Sequence, residues 1–382
     1  MSTRLAVSLL AGFVVAQVAL AADDQLPAIQ PNTWVNAKAQ YVLPKHIPDA
    51  RWQTTDGYCG STYRSKTSTL IFRSGIRSKQ AGLNPGFYSN ATLEWDLKTN
   101  RVRVVDIANW GGGSYGGGRL LPAFKERPTP TPRHTYDGLT YVEDQDAMYF
   151  VLGANWRVAS RATPEAKAQH SLDNTSTWKY TFADGRWHRI DHNIRKFWNG
   201  RRASPYEAHL QHWPEGRKLL FLDSRGACYA EFDLATEKWA QAATKNKCPM
   251  SLYNARSTWD VKRARWVFRL GPKLSTFDPK TKSFAALPDA YPMPEDKKDK
   301  RRAWKGVCYV SKHDVYLITG PTGNETYVYD IAKGQWIHVQ GGDLKLVNGY
   351  PQYDPKTDLV GLVYQRSAFT FRYVPGKGLE AR

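Results

Sequence analysis

The stretch PRHTYDGLTYVEDQDAMYFVLG (Pro132–Gly153) decides how the whole chain is read. Its second half sets an aromatic residue, Tyr141, before a short polar turn, and the apolar run AMYFV follows. Two strand-like runs across a short polar turn make a β-hairpin. The pattern returns as HWPEGRKLLFLDSRG from His212, TWDVKRARWVFRLG from Thr258, CYVSKHDVYLITG from Cys308 and QYDPKTDLVGLVYQ from Gln352. With Tyr141, Trp213, Trp259, Tyr309 and Tyr353 taken as equivalent, the spacings are 72, 46, 50 and 44 residues. A looser copy, TYRSKTSTLIFRSG, begins earlier at Thr62.

A second hairpin follows each copy, as in TSTWKYTFADGRWHRI and ETYVYDIAKGQWIHV. Its marker falls at Trp187, Trp239, Phe284 and Trp336, spaced 52, 45 and 52 residues apart. NATLEWDLKTNRVRVV and AFTFRYVPGKGLEA are weaker versions at the two ends. Six units of two hairpins each, recurring every 40 to 50 residues, are the mark of an all-β propeller. A single blade cannot bury both its faces, so the recurring Trp is expected to pack between neighbouring blades. The segment from Thr33 to Trp52 completes the ring as an extra strand or forms half of a seventh blade, and both remain open. The expected organisation is an N-terminal segment over 22–56 and a propeller over 57–382.

PRHTYDG followed by DAMYFVLG and a downstream Trp resembles a kelch repeat of the galactose-oxidase-like propellers. The resemblance covers most of the chain, although the double glycine usual after the second strand is reduced or lost in most copies. It implies a six- or seven-bladed ring with variable loops around a central channel. Galactose oxidase also implies copper held by His and Tyr with a Tyr–Cys cross-link. No Cys stands where that link is arguable, so no cofactor is expected. HLQH (His209, His212) and HRIDH (His188, His192) have helix-like ligand spacings in strand-like context. Residues i and i+3 of a strand point to opposite faces, which parts His209 from His212. His188 and His192 share a face but lie on the order of 13 Å apart, so no metal site is expected. GGGSYGGG lacks the Lys-Ser/Thr ending of a phosphate loop and reads as a flexible loop.

The chain opens MSTRLAVSLLAGFVVAQVALAADD, a positive residue, an apolar run and a small-x-small site ending at Ala21. That predicts a cleaved signal peptide over residues 1–21, hence a secreted or periplasmic protein with no membrane insertion of the mature chain. In an oxidising compartment Cys59, Cys228, Cys248 and Cys308 are disulfide candidates, with Cys228–Cys248 closing the shortest loop. Lys and Arg number 54 against 35 Asp and Glu, a net charge of +19. Export argues against a nucleic-acid partner, so an anionic polysaccharide is the expected one, bound by a monomer.

Residues just before each inner aromatic face the channel mouth in such a fold and differ between units whose scaffold repeats. They are Asp56 and Tyr58, His134 and Tyr136, Tyr206 and His209, Tyr253 and Arg256, Arg302 and Trp304, and Asn348 and Tyr350. Arg73, Arg225, Arg269 and Arg366 recur near the end of the second strand, with Arg157 after the corresponding strand of its unit. Guanidinium groups bind carboxylate and sulfate bidentately, which suits a polyanion. The mouth's His, Tyr and Arg are also the residue types used for β-elimination on uronates by propeller polysaccharide lyases, to which the chain is similar in fold type and residue palette. That likeness implies His134 or His209 as acid or base, Tyr253 as partner, and Arg256 or Arg269 on the substrate carboxylate. Pure glycan binding and a protein-interaction module are the alternatives. A glycosidase would need two facing carboxylates, whereas the acids here sit in hairpin turns.

Overall fold

The computed structural model describes residues 26–42, 59–73, 92–106, 130, 134–153, 176–190, 194, 208–224, 228–271, 273–287, 306–319, 325–340, 342, 349–364, 367–377 and 379–381. Two short strands near the N-terminus come first, β1 (Val35–Asn36) and β2 (Gln40–Val42). Blade 1 then runs through β3 (Gly60–Arg64), β4 (Thr69–Arg73), β5 (Thr92–Asp96) and β6 (Arg101–Asp106). Blade 2 comprises β7 (Leu139–Val142), β8 (Ala147–Val151), β9 (Thr177–Thr181) and β10 (Arg186–Ile190). Blade 3 comprises β11 (His209–Trp213), β12 (Lys218–Leu222), β13 (Tyr229–Asp233) and β14 (Lys238–Ala242). Blade 4 has β15 (Arg256–Asp260), β16 (Arg265–Leu270), β17 (Lys273–Asp278) and β18 (Ser283–Ala286). Blade 5 has β19 (Val307–Val310), β20 (Val315–Thr319), β21 (Glu325–Asp330) and β22 (Gln335–Gln340). Blade 6 supplies only β23 (Gln352–Asp354), β24 (Leu359–Tyr364) and β25 (Ser367–Phe371) from its own stretch of chain.

Its fourth strand is β1, paired antiparallel with β25 through Val35–Thr370 and Asn36–Phe369. The ring therefore closes at six blades, with the N-terminal segment as the closing strand. That strand comes from the N-terminal segment over 22–56, in the ring-closing place named above as one of its two alternatives. Asn32 reinforces the closure by donating to the carbonyls of Val374 and Lys377. β2 adds parallel to β6, and β26 (Leu379–Ala381) adds antiparallel to β22, so blades 1 and 5 each carry a fifth strand. Residues 43–52 of the segment named above, and the leader at 1–21, lie outside the described residues.

The core is divided among the blade interfaces. β16 shows why: Trp266 and Phe268 pack toward blade 3, and Val267 between them packs toward blade 5. Strand alternation thus gives each sheet two apolar faces, and only stacked neighbours remove both from water. Trp187 fills the interface of blades 1 and 2, Trp239 that of blades 2 and 3, Phe284 that of 3 and 4, and Trp336 that of 4 and 5. The expected role of the recurring aromatic is borne out. Each such side chain contributes roughly 2–3 kcal/mol through burial.

The turns between the third and fourth strands repeat one device. Asp96, Asp233, Asp278 and Asp330 accept backbone N–H bonds from residues two and three positions on. The fourth turn residue then takes a left-handed conformation at Asn100, Glu237, Lys282 or Gly334. These aspartates are spent on their own backbone.

None of the four cysteines forms a disulfide. Cys228 packs in the core between blades 2 and 3, whereas Cys248 lies against the core between blades 3 and 4. The expected Cys228–Cys248 pair is corrected by that separation: blade 3 stands between the two thiols.

Candidate functional site

The six inner strands, β3, β7, β11, β15, β19 and β23, run the same way along the channel. Each starts at what we call the entry end and finishes in a four-residue turn at the hairpin end. Their pairing registers align Tyr63, Tyr141, His212, Trp259, Tyr309 and Tyr353 at one level. This corrects the repeat read from sequence: His212, not Trp213, takes the aromatic position in blade 3, and the two adjoining spacings become 71 and 47. A signal was present. Six residues separate the aromatic from the first residue of the second strand in the other inner hairpins, but only five separate Trp213 from Lys218.

All six residues of this level line a cavity of about 360 Å³ in the channel, which the sequence reading did not find. It reaches the hairpin end at Glu143, Asp144, Pro214, Val261, Ser311 and Pro355. Polar side chains line it one residue earlier on each strand, at Thr62, Thr140, Gln211, Thr258, Cys308 and Gln352. Several of these stitch neighbouring strands: Thr140 Oγ1 accepts from the His212 amide and Thr258 Oγ1 from the Tyr309 amide.

At this end the phenols of Tyr141, Tyr309 and Tyr353 donate to Asp146, Asp314 and Asp358, the last residue of each turn. Burial first, then those carboxylates, push the three phenols well above their ordinary range. A base from the preceding blade meets each aspartate: Arg64 and Lys66 on Asp146, Lys262 and Arg263 on Asp314, Lys312 on Asp358. The Arg64 guanidinium holds the Asp146 carboxyl down at about 2. The Arg263 guanidinium holds Asp314 well below the carboxylate range. These acids latch blade to blade.

His212 is different. It is 8% exposed, and its ring hydrogen-bonds to none of the described residues. Burial lowers its imidazole to about 4 against the opposing pull of Asp144, Glu215 and Glu143. It is a neutral ring lining the cavity.

The entry end holds the residues that the sequence put forward. His209 is 1% exposed, with Nδ1 3.0 Å from Asp137 Oδ2 and Nε2 3.0 Å from the Leu252 carbonyl. Trp266 and Phe268 meet its ring edge-on. A histidine held between two oxygens across blades 2 to 4 acts as a strut. Arg256 is buried, donates to the Ala255 carbonyl and lies 4.6 Å from the Tyr350 ring centroid. It pairs directly across the sheet with Arg269, also buried, whose Nε donates to Gly271 O. Arg73 donates to Thr92 Oγ1 and lies over Trp187, 4.4 Å from its centroid. Tyr253 is 52% exposed. His134 Nδ1 and Tyr136 Oη are 3.5 Å apart, and Thr135 between them donates to the Arg73 carbonyl. Arg157, Tyr206, Arg225, Arg302, Trp304, Asn348 and Arg366, with Asp56 and Tyr58, lie outside the described residues.

The structure thus brings Arg256, Arg269 and Tyr350 together, and sets His134 beside the end of the Arg73 strand. Arg73 and Arg269 share one blade position, on blades three apart in the ring, where the other blades carry Val151, Leu222, Thr319 and Val363. Arg225 and Arg366 follow that position by three residues and Arg157 by six.

Pairing, closure and channel define the chain as a six-bladed β-propeller with a channel cavity open toward its hairpin end. No family model matches the sequence, and no curated protein matches it. Among solved structures it is similar to one titled "Streptogramin B lyase structure", at 13% identity over 87% of this chain and 100% of that chain, with a TM-score of 0.47.

Proposed function

We propose that the protein is an exported propeller that binds an anionic, uronate-containing polysaccharide. The observation that carries this reading is how its charge is used. Lys and Arg exceed Asp and Glu by 54 to 35. Many of the described acids are consumed internally, as turn caps at Asp96, Asp233, Asp278 and Asp330 and as ion-pair partners at Glu94, Asp146, Glu231, Asp314 and Asp358. The cationic surplus is left to set the outward field, and a field of that sign concentrates polyanions. The N-terminal leader directs export in this reading, which puts the protein where such polymers are met.

Affinity electrophoresis tests it, with polygalacturonate or alginate in the gel and dextran as the neutral control. Retardation in the acidic gels, relieved by salt, is the expected result. Equal mobility in all three sinks the reading.

A catalytic form, β-elimination, is favoured by the His134–Tyr136 contact, two proton-transfer groups side by side at the entry end. A base takes the C5 proton, the C4–O bond breaks, its oxygen is protonated, and a C4=C5 double bond remains. Incubation with the same polymers would then raise ultraviolet absorbance from unsaturated ends, and His134→Ala would abolish the rise. Retardation without absorbance leaves binding alone.

A further inference from the structure

One sector of the hairpin end reverses the charge pattern of the rest. The second residue of the inner turn is Lys66, Lys262, Lys312 and Lys356 in blades 1, 4, 5 and 6, but Asp144 and Glu215 in blades 2 and 3. Between these acids the latch is reversed as well, since Arg217 occupies the place held by an aspartate in blades 2, 5 and 6. The reversed latch does not form: among the described residues Glu143, Asp144 and Glu215 make no ion pair. Three carboxylates without a cation stand at one sector of a strongly basic protein.

The second observation is His212. The residue is more than nine-tenths buried, its ring has no hydrogen-bond partner among the described residues, and it lines the cavity that Glu143 and Asp144 line at its end. Burial keeps it neutral, so one ring nitrogen is an acceptor. Tyr141 and Trp259 flank the same space with aromatic surface. An acceptor nitrogen inside, carboxylates at the rim and aromatic walls are the complement of a cation that carries N–H bonds and some apolar body.

We propose that this sector, between blades 2 and 3, is a binding site for a protonated amine of about monosaccharide size. The ligand ammonium donates to the His212 imidazole, while Glu143, Asp144 and Glu215 balance its charge. The cavity of about 360 Å³ suits a ligand of that size. The site is independent of polyanion binding, because its charge has the opposite sign and it lies at the end with the unpaired acids.

Calorimetric titration with glucosamine hydrochloride, and with glucose as the near-isosteric neutral probe, tests the assignment; spermidine serves as a second amine. Saturable binding of an amine without binding of glucose is expected. The E143Q/D144N double variant, altered only at exposed residues, should weaken it at least tenfold, and H212Q should weaken it comparably. Amine addition should also shift the His212 ring-nitrogen resonance in the wild-type protein. Equal affinity for glucose, no saturation with either amine, or unchanged affinity in the double variant would overturn the proposal. If H212Q does not fold, the double variant and the resonance decide it.

Discussion

Arg64 and Arg73 stand at opposite ends of one hairpin in blade 1, and both are nearly out of solvent. At the hairpin end Arg64 donates to Asp146 of blade 2 and to Glu94 of its own blade, with its guanidinium 3.8 Å from the Phe182 ring centroid. At the entry end Arg73 rests on the rings of Trp187 and Phe150 and donates to Thr92. Among the described residues both guanidiniums lie against aromatic rings, but Arg64 also meets two carboxylates where Arg73 meets a hydroxyl. The difference teaches where electrostatics couples the blades: around the turns, where each aspartate collects a phenol from its own blade and a base from the one before.

The sharpest way to break that comparison is to remove each guanidinium in turn. Arg64→Met leaves Glu94, 1% exposed, with only Arg103 and hydroxyl partners, and strips Asp146 of its main one. A loss of about 3–5 kcal/mol in denaturant unfolding is expected. Arg73→Met keeps the stem against the same rings and should cost about 1–2 kcal/mol. The reverse order would show that the entry end carries the electrostatic coupling.

Acid titration of stability separates the groups at the hairpin end. His212 titrates near 4 in the folded protein and at its ordinary 6.5 when unfolded. Between those values the unfolded chain binds more protons, so stability rises with pH. The His212 contribution is complete above 6.5 and is lost as pH falls toward 4, by about 3 kcal/mol at most. H212Q should flatten that window in thermal melts. Asp146, whose value is depressed to about 2 from 3.8, should withdraw its contribution only below that window.

Smaller effects sharpen the picture. Asp278→Ala removes a turn cap and should cost about 1 kcal/mol, with no change at either channel end. Lys312→Met removes an exposed partner of Asp358 and should cost about 0–1 kcal/mol by chemical denaturation. A larger loss there would make the exposed latches, like the buried one, part of the ring's mechanical coupling.

How far the site was legible follows from the same residues. Tyr141, Tyr309 and Tyr353 were found because their spacing to the following strand is constant. Trp213 misled because a bulky aromatic beside His212 satisfies the pattern one residue out of place, and one residue in a strand exchanges its two faces. His209 and His212 were correctly separated by strand geometry. Which was the strut and which lined the cavity depended on Asp137 and the Leu252 carbonyl, contributed from other parts of the chain.

From the sequence alone came the propeller, its six hairpin pairs and the place of the recurring Trp, because local alternation and turn chemistry repeat with every blade. Ring closure by Val35–Asn36 came from tertiary structure, since a two-residue strand has no periodicity to read and gains its pairing only beside Phe369 and Thr370. The same holds for the charges. A latch such as Arg64–Asp146 spans 82 residues of chain, and only the stacking of blade on blade determines which cation meets which acid and which acids are left without one.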